Sequence, residues 1–140
     1  MKPKIIVASP IFEETLARLR EHFEVTDNQA DVTWTKAAWM QALSQHVGAL
    51  TTGVDAVDTE VLKACPNLKV VANMAVGYNN FDVPAMTAHG VQASNTPDVL
   101  TETTADFGFA LLMATARRIT ESEHYLRRGE WTKWRYDMFA

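Results

Sequence analysis

Up to Leu100 the chain alternates between two spacings of apolar residues. Short apolar runs bounded by turn residues read as strands: Lys4 to Ala8, Ala49 to Thr52, and the first half of the stretch Val70–Asp82. Glu24 to Thr26 and Val91 to Ser94 add two more. Between them the spacing becomes helical. Phe12, Leu16, Leu19 and Phe23 recur at +4, +3 and +4, which predicts an amphipathic helix with those four residues inward. Thr35 stands as the N-cap of a helix predicted through Val47, with Trp39, Leu43 and Val47 on its inner face. Thr59 to Ala64 and Val83 to His89 read as two short helices, the second opened by Asp82 as cap and Pro84 in its first turn. Strands alternating with helices predict an α/β unit of flavodoxin-like type, a parallel sheet covered on both faces.

Beyond Leu100 the pattern changes. From Thr101 to Arg128 only Gly108 interrupts a helical reading, which predicts one helix of about 42 Å at 1.5 Å per residue. Arg127 and Arg128 in its last turn and Gly129 just beyond form a C-terminal signature. Phe107, Phe109, Leu111, Leu112 and Met113 surround its first half, and a helix apolar all round requires cover from another domain or subunit. Trp131, Trp134, Tyr136 and Phe139 follow as an aromatic packing arm.

The stretch Val70–Asp82 carries the clearest chemical signal. Its strand leads into a loop holding Gly77 and the pair Asn79–Asn80, residue types that tolerate unusual backbone angles, and then into the helix capped by Asp82. Strand, glycine loop and helix N-terminus in that order direct backbone N–H groups at one spot, at the carboxyl ends of the strands where open parallel sheets bind ligands. The stretch reads as an anion site for a small carboxylate; a plain strand-to-helix turn is the alternative.

Composition narrows the classes. A net charge of −4 argues against a nucleic-acid surface or an anionic membrane. A single cysteine, Cys65, cannot form an intrachain disulfide, so it reads as structural and the expected location is cytoplasmic. No apolar run approaches the ~20 residues of a membrane span. The glycines at 48, 53, 77, 90, 108 and 129 form neither G-x-G-x-x-G nor a P-loop. His22, His46, His89 and His124 lack metal-ligand spacing, so no metal site is expected. Arg117, Arg118, Arg127 and Arg128 interleave with Glu121 and Glu123 as an ion-paired helix face. A receiver domain would need acidic residues where Ala8–Ser9 and Thr51–Thr52 stand. A flavodoxin would need a phosphate loop where Ser9–Glu13 stands.

Three linked stretches then add a family resemblance: Leu62-Lys63-Ala64-Cys65-Pro66-Asn67-Leu68-Lys69-Val70-Val71, Val76-Gly77-Tyr78-Asn79-Asn80-Phe81-Asp82-Val83, and Asn95-Thr96-Pro97-Asp98-Val99-Leu100-Thr101-Glu102-Thr103-Thr104-Ala105-Asp106. Together they resemble the D-isomer-specific 2-hydroxyacid dehydrogenases, in particular the glyoxylate/hydroxypyruvate reductases and the related phosphite dehydrogenases. The resemblance implies that residues 1–99 are a substrate-binding domain. Residues 100–140 would be a crossover helix and arm leading into a cofactor domain and contributing to a homodimer. It implies that the N–H groups of Val76 and Gly77 hold a substrate carboxylate, with the Thr51–Gly53 turn, Thr52 and Gly53 above all, as the opposite wall. Thr104 would face the nicotinamide of NAD or NADP. In the phosphite-oxidising relatives a lysine occupies the position of Val76, so valine implies an organic 2-oxo acid such as glyoxylate or hydroxypyruvate.

The chain also departs from the family. Members are roughly twice as long, and their dinucleotide loop, substrate-binding arginine and Glu–His acid/base pair have no counterpart here. The resemblance is therefore to the front portion of an enzyme, and this chain alone is expected to be inactive and to hold no catalytic acid or base. A non-catalytic module that binds a small acid or serves assembly is the alternative reading.

Overall fold

Ile5, Ile6 and Val7 build β1 (Lys4–Val7), the strand from which the sheet grows in both directions, in a computed structural model that describes residues 1–136. In chain order there follow α1 (Glu13–His22), β2 (Glu24–Asp27), α2 (Lys36–Leu43), β3 (Gly48–Thr51), α3 (Thr59–Ala64), β4 (Val70–Asn73), α4 (Val83–Ala88) and β5 (Gln92–Ser94). The five strands are all parallel in the order β2-β1-β3-β4-β5, the flavodoxin-like arrangement that the alternating pattern implies. These elements belong to a first compact unit, Met1–Asp98; a second begins at Val99.

Register puts Ile6, Ala49, Val71 and Ala93 in one row across the sheet. Ile6, Ala49 and Val71 join Trp39 and Leu43 of α2, Val61 and Leu62 of α3, and Met86 of α4 in one buried cluster. Side chains alternate along a strand, so Ile5 and Val7 face the other way. Within the first unit only α1, through the fully buried Leu16, covers that second face. The expectation of a sheet covered on both faces therefore fails toward β4: Val70 is 43% exposed, and Leu50 and Ala72 are only half-buried. Phe12, expected inward, is 82% exposed, because it occupies the N-cap position of α1, before the helical spacing begins. The helix predicted to Val47 ends at Leu43. The Val47 N–H pairs instead with Lys4 O, which starts the chain along β1 toward β3.

Thr35 and Asp82 are the expected caps, and Asp58 is a further one. Thr35 Oγ1 accepts from Ala38 N, Asp58 from Glu60 N and Val61 N, and Asp82 from Ala85 N. Lys36 Nζ also donates to Asp58 at 2.8 Å. That bond, with the one from Val61 N–H, holds the Asp58 carboxyl below its usual range. Gly90 closes α4 with φ +68°, letting the Val91 N–H reach back to Met86 O.

In the second unit the single long helix is not observed. α5 (Thr101–Ala116) and α6 (Ile119–Arg127) are separated by Arg117 and Arg118. Arg118 adopts the left-handed region, φ 52°, ψ 37°, which no helical spacing reveals. Near the end of α5 the Thr115 hydroxyl donates back to Leu111 O, a bond that competes with regular helix. The Arg118 guanidinium then grips Glu121 in the first turn of α6. The ion-paired face is present, with Arg118–Glu121, Arg127–Glu123 and Arg128–Glu130 contacts. Gly129, φ +70°, ends α6 as the glycine signature predicts. α5 buries none of its residues; Phe107, Phe109, Leu111, Leu112 and Met113 are all exposed. Trp131 and Trp134 meet edge-on with ring centroids 6.3 Å apart, and Phe139 lies outside the described residues.

Because Leu16 is the only fully buried side chain that α1 sets on its face, Leu16→Ala should lower unfolding free energy by about 2–5 kcal/mol. Phe12→Ala should change it by less than about 0.5 kcal/mol. Urea denaturation followed by circular dichroism measures both; equal losses would mean that Phe12 packs in solution.

Candidate functional site

β3 and β4 end side by side, with Thr51 opposite Asn73, and the chain turns outward from both. After β3, Thr52 and Asp55 close a tight turn. The Asp55 carboxylate accepts from the Thr52 N–H at 2.8 Å and the Thr52 hydroxyl at 2.9 Å, and the Asp55 N–H returns to Thr52 O. After β4 the loop runs from Met74 to Asn80. A methyl group at Gly53 would stand 3.8 Å from the Ala75 side chain, so the two turns lie within van der Waals reach.

The loop owes its shape to where its carbonyls are held. Ala75 O accepts from Thr96 N at 3.0 Å, Val76 O from Asn95 Nδ2 at 2.8 Å, and Gly77 O from Asn73 Nδ2 at 2.9 Å. In a planar trans peptide the C=O and the following N–H point in opposite directions. Tethering the carbonyls of Ala75 and Val76 therefore turns the N–H groups of Val76 and Gly77 away from the β5 end. Neither N–H has an acceptor among the described residues. Two backbone donors without partners, at the carboxyl end of a central strand, are suited to an anion.

Two expectations about this stretch need correction. Gly77, Asn79 and Asn80 all have negative φ, so none is there for the left-handed region. Asn80 instead serves as a tie: its Nδ2 donates to Thr52 O at 3.1 Å and to Asp55 O at 2.9 Å. Nor does the helix N-terminus join the donors. Asp82 occupies it, and residues 80–82 turn away to pair with Val57.

Thr52, Gly53, Val76 and Gly77 thus come together at the ends of β3 and β4. Thr52 spends its N–H and hydroxyl proton on Asp55 and keeps only oxygen lone pairs to offer. Thr104 lies on an exposed turn of α5 in the second unit, its N–H bonded to Leu100 O. Asn73, Asn80, Asn95 and Asp55 were not anticipated as site residues. Asn73 had a signal: a polar residue closing an apolar strand needs a buried partner. A recess of about 360 Å³ opens nearby, beyond the ends of β1 and β2, where the Trp34 and Asn28 N–H groups both donate to Ala8 O.

Among the described residues no group of His, Cys, Asp and Glu could hold a metal ion. No helix among them is long and apolar enough to cross a membrane. His46 is buried with Nδ1 on Ala42 O and Nε2 on Thr26 Oγ1, a packing role. Cys65 is buried, and burial pushes its thiol pKa up, away from reactivity. The glycines form no loop that would cradle the pyrophosphate of a dinucleotide, so the residues present do not by themselves fit that cofactor.

A parallel β2-β1-β3-β4-β5 sheet with free donors at the carboxyl end of β4 is the arrangement of an α/β ligand-binding domain. The chain belongs to the family of D-isomer specific 2-hydroxyacid dehydrogenases, whose catalytic-domain profile matches residues 5–126. It is 43% identical over 131 residues to a glyoxylate reductase of Korarchaeum cryptofilum, covering 94% of this chain and 40% of that protein. A crystallised protein of Thermus thermophilus superposes with a TM-score of 0.85 at 34% identity, over 98% of this chain and 44% of that one. The NADPH-dependent glyoxylate/hydroxypyruvate reductase of Sinorhizobium meliloti, solved with NADP and malonate, gives a TM-score of 0.71 at 36% identity, over 94% and 40% of the two chains. The chain thus spans about 40% of the length of the curated relatives it matches.

Proposed function

We propose that this chain is the substrate-binding part of a nicotinamide-dependent D-2-hydroxyacid dehydrogenase that reduces glyoxylate, hydroxypyruvate or a similar small 2-oxo acid. The observation that carries the reading is the pair of N–H groups at Val76 and Gly77, aimed by tethered carbonyls and left without an acceptor among the described residues. They take the substrate carboxylate, each such charge-assisted bond contributing about 1.5–3 kcal/mol. Thr52 and Gly53 form the facing wall, and Thr104 lies against the nicotinamide. The malonate of the Sinorhizobium reductase, a small carboxylate, fits the same class of ligand. The cofactor is NAD or NADP, Thr104 is the one residue here assigned to it, and neither the hydride nor the proton step is assigned to a residue of this chain. The enzyme works in the cytoplasm as a homodimer and engages neither nucleic acid nor membrane.

The full-length enzyme should oxidise NADH or NADPH when given glyoxylate or hydroxypyruvate, while a preparation shown by mass spectrometry to hold only these 140 residues should not. A full-length protein inert toward both acids with both cofactors overturns the reading.

Within the enzyme, Gly77→Val should weaken oxamate binding by about tenfold or more, the scale of one lost charge-assisted bond. A Cβ at Gly77 would meet Asn79 Oδ1 at 3.1 Å, so that side chain must give by a few tenths of an ångström, and a β-branched residue narrows the backbone angles open to the loop. Tyr78→Phe leaves the backbone in place and should change affinity less than about twofold. Equal losses in a titration would show that the loop backbone is not the cradle.

The dimer follows from the exposed apolar side chains of α5. Replacing Phe109 and Leu112 with Asp should convert the enzyme to monomer in analytical ultracentrifugation, since each would put an unpaired charge into a dry contact. A wild-type enzyme that sediments as a monomer at tens of micromolar would show that α5 is covered in some other way.

A further inference from the structure

We infer that Asn80 and Asn73 are positioning residues for the carboxylate site, their paired amides fixing the turn after β3 against the loop after β4. The inference rests on the function proposed above. It starts from the hydrogen-bonding capacity of an amide, two donors and one acceptor oxygen on each side chain.

Asn80 spends its two N–H groups on Thr52 O and Asp55 O, the two ends of the turn that forms one wall. Its Oδ1 accepts from Asn73 Nδ2 at 3.2 Å. Asn73 gives its other N–H to Gly77 O at 2.9 Å, in the opposite wall, and its Oδ1 accepts from the Thr51 hydroxyl at 3.0 Å. The carbonyl acceptors determine which end of each amide is nitrogen, since an oxygen facing Thr52 O, Asp55 O or Gly77 O would meet only lone pairs. One continuous chain, Thr51–Asn73–Asn80, therefore joins the two walls through side chains. Asn73 and Thr51 are buried to 2% and 1% exposure. Among the described residues no buried side-chain polar atom is left without a partner.

The consequence for the ligand is geometric. The Gly77 carbonyl orients the plane that follows the Gly77 N–H, and Asn73 holds that carbonyl only while Asn80 and Thr51 hold Asn73. On the other side, Asn80 anchors the turn in which Asp55 has already taken up the donors of Thr52. Neither asparagine needs to touch the substrate. They determine how far the free N–H groups stand from Thr52 and Gly53, and so how well a small carboxylate fits between.

No other side chain of similar size does this. Leucine would leave the Asp55 and Gly77 carbonyls without donors and Thr52 O with the Asp55 N–H alone. Ionised aspartate would set a third oxygen against them and add negative charge beside a site for an anion. Protonated aspartate recovers one donor, and that supplies the test.

In the full-length enzyme, Asn80→Ala and Asn80→Asp at neutral pH should each raise KM for glyoxylate by about tenfold or more, the loss expected when a buried carbonyl loses its donor. The Kd for NAD(P)H should stay within about twofold of wild type. As pH falls, the carboxyl in Asn80→Asp takes up a proton and donates again. Its oxamate affinity, relative to wild type at each pH, should recover, whereas that of Asn80→Ala should not. A structural defect alone would lower the melting temperature and the active fraction without a variant-specific recovery in acid. If Asn80→Ala fails to fold, Asn80→Asp measured across pH decides by itself. An active wild-type reductase whose folded Asn80 variants keep wild-type KM, or whose Asn80→Asp shows no recovery, overturns the brace alone. A wild-type protein that reduces no 2-oxo acid overturns the function and this inference with it.

Discussion

The carbonyls of Ala75, Val76 and Gly77 are each held by a donor from outside their loop: Thr96 N, Asn95 Nδ2 and Asn73 Nδ2. A peptide unit is rigid, so holding its oxygen also aims its hydrogen. The donors offered at the end of β4 are thus set by bonds made on the far side of the same planes. A loop built this way offers its own N–H groups to an anion, and it needs no glycine in a left-handed conformation. What it needs is a scaffold whose neighbouring strands deliver Asn73, Asn95 and Thr96 at the right heights. The parallel register of β3, β4 and β5 supplies that.

The fold and the site draw on different interactions. The sheet is held by Ile6, Ala49 and Val71 packing under α2, α3 and α4, a contiguous apolar cluster that tolerates no polar group without a partner. The site is built where that cluster ends, at Thr51 and Asn73, the first polar residues of their strands and still buried. Side chains that would be costly inside the cluster become the means of joining two turns at its edge. Capping follows the same economy: Asp58 and Asp82 close α3 and α4 with their own carboxylates, leaving the loop amides as the free donors.

Most of the architecture was legible because its causes are local and periodic. Every strand, the caps at Thr35 and Asp82, and the glycine stop at Gly129 follow from residue type and spacing. The caps at Asp58 and Gly90 were not anticipated. The failures lie where a neighbour distant in sequence, or the exact position of a helix end, decides. Val47 leaves its helix because Lys4 offers a carbonyl, and Phe12 stays exposed because it precedes the first turn of α1. Asn80 was read as a turn former because its partners, Thr52 and Asp55, lie 28 and 25 residues away. The division of the long helix at Arg118 has no compositional mark, since arginine is an ordinary helix former. The glycine loop stood out, but the tethers that aim it did not, because hydrogen bonds between separate turns have no period.

The strand order also says something about how such a domain comes into being. β1 and β2 pair first along the chain, and each later strand then adds at the same growing edge, β3 on β1, β4 on β3, β5 on β4. No strand has to be inserted between two already joined. A polypeptide emerging from a ribosome can therefore lay down this sheet in the order of its translation, each addition waiting only for one crossover helix. The two walls of the cleft belong to neighbouring additions, so the cleft has no precursor before β4 docks. It takes its final form when Asn95 and Thr96 arrive with β5.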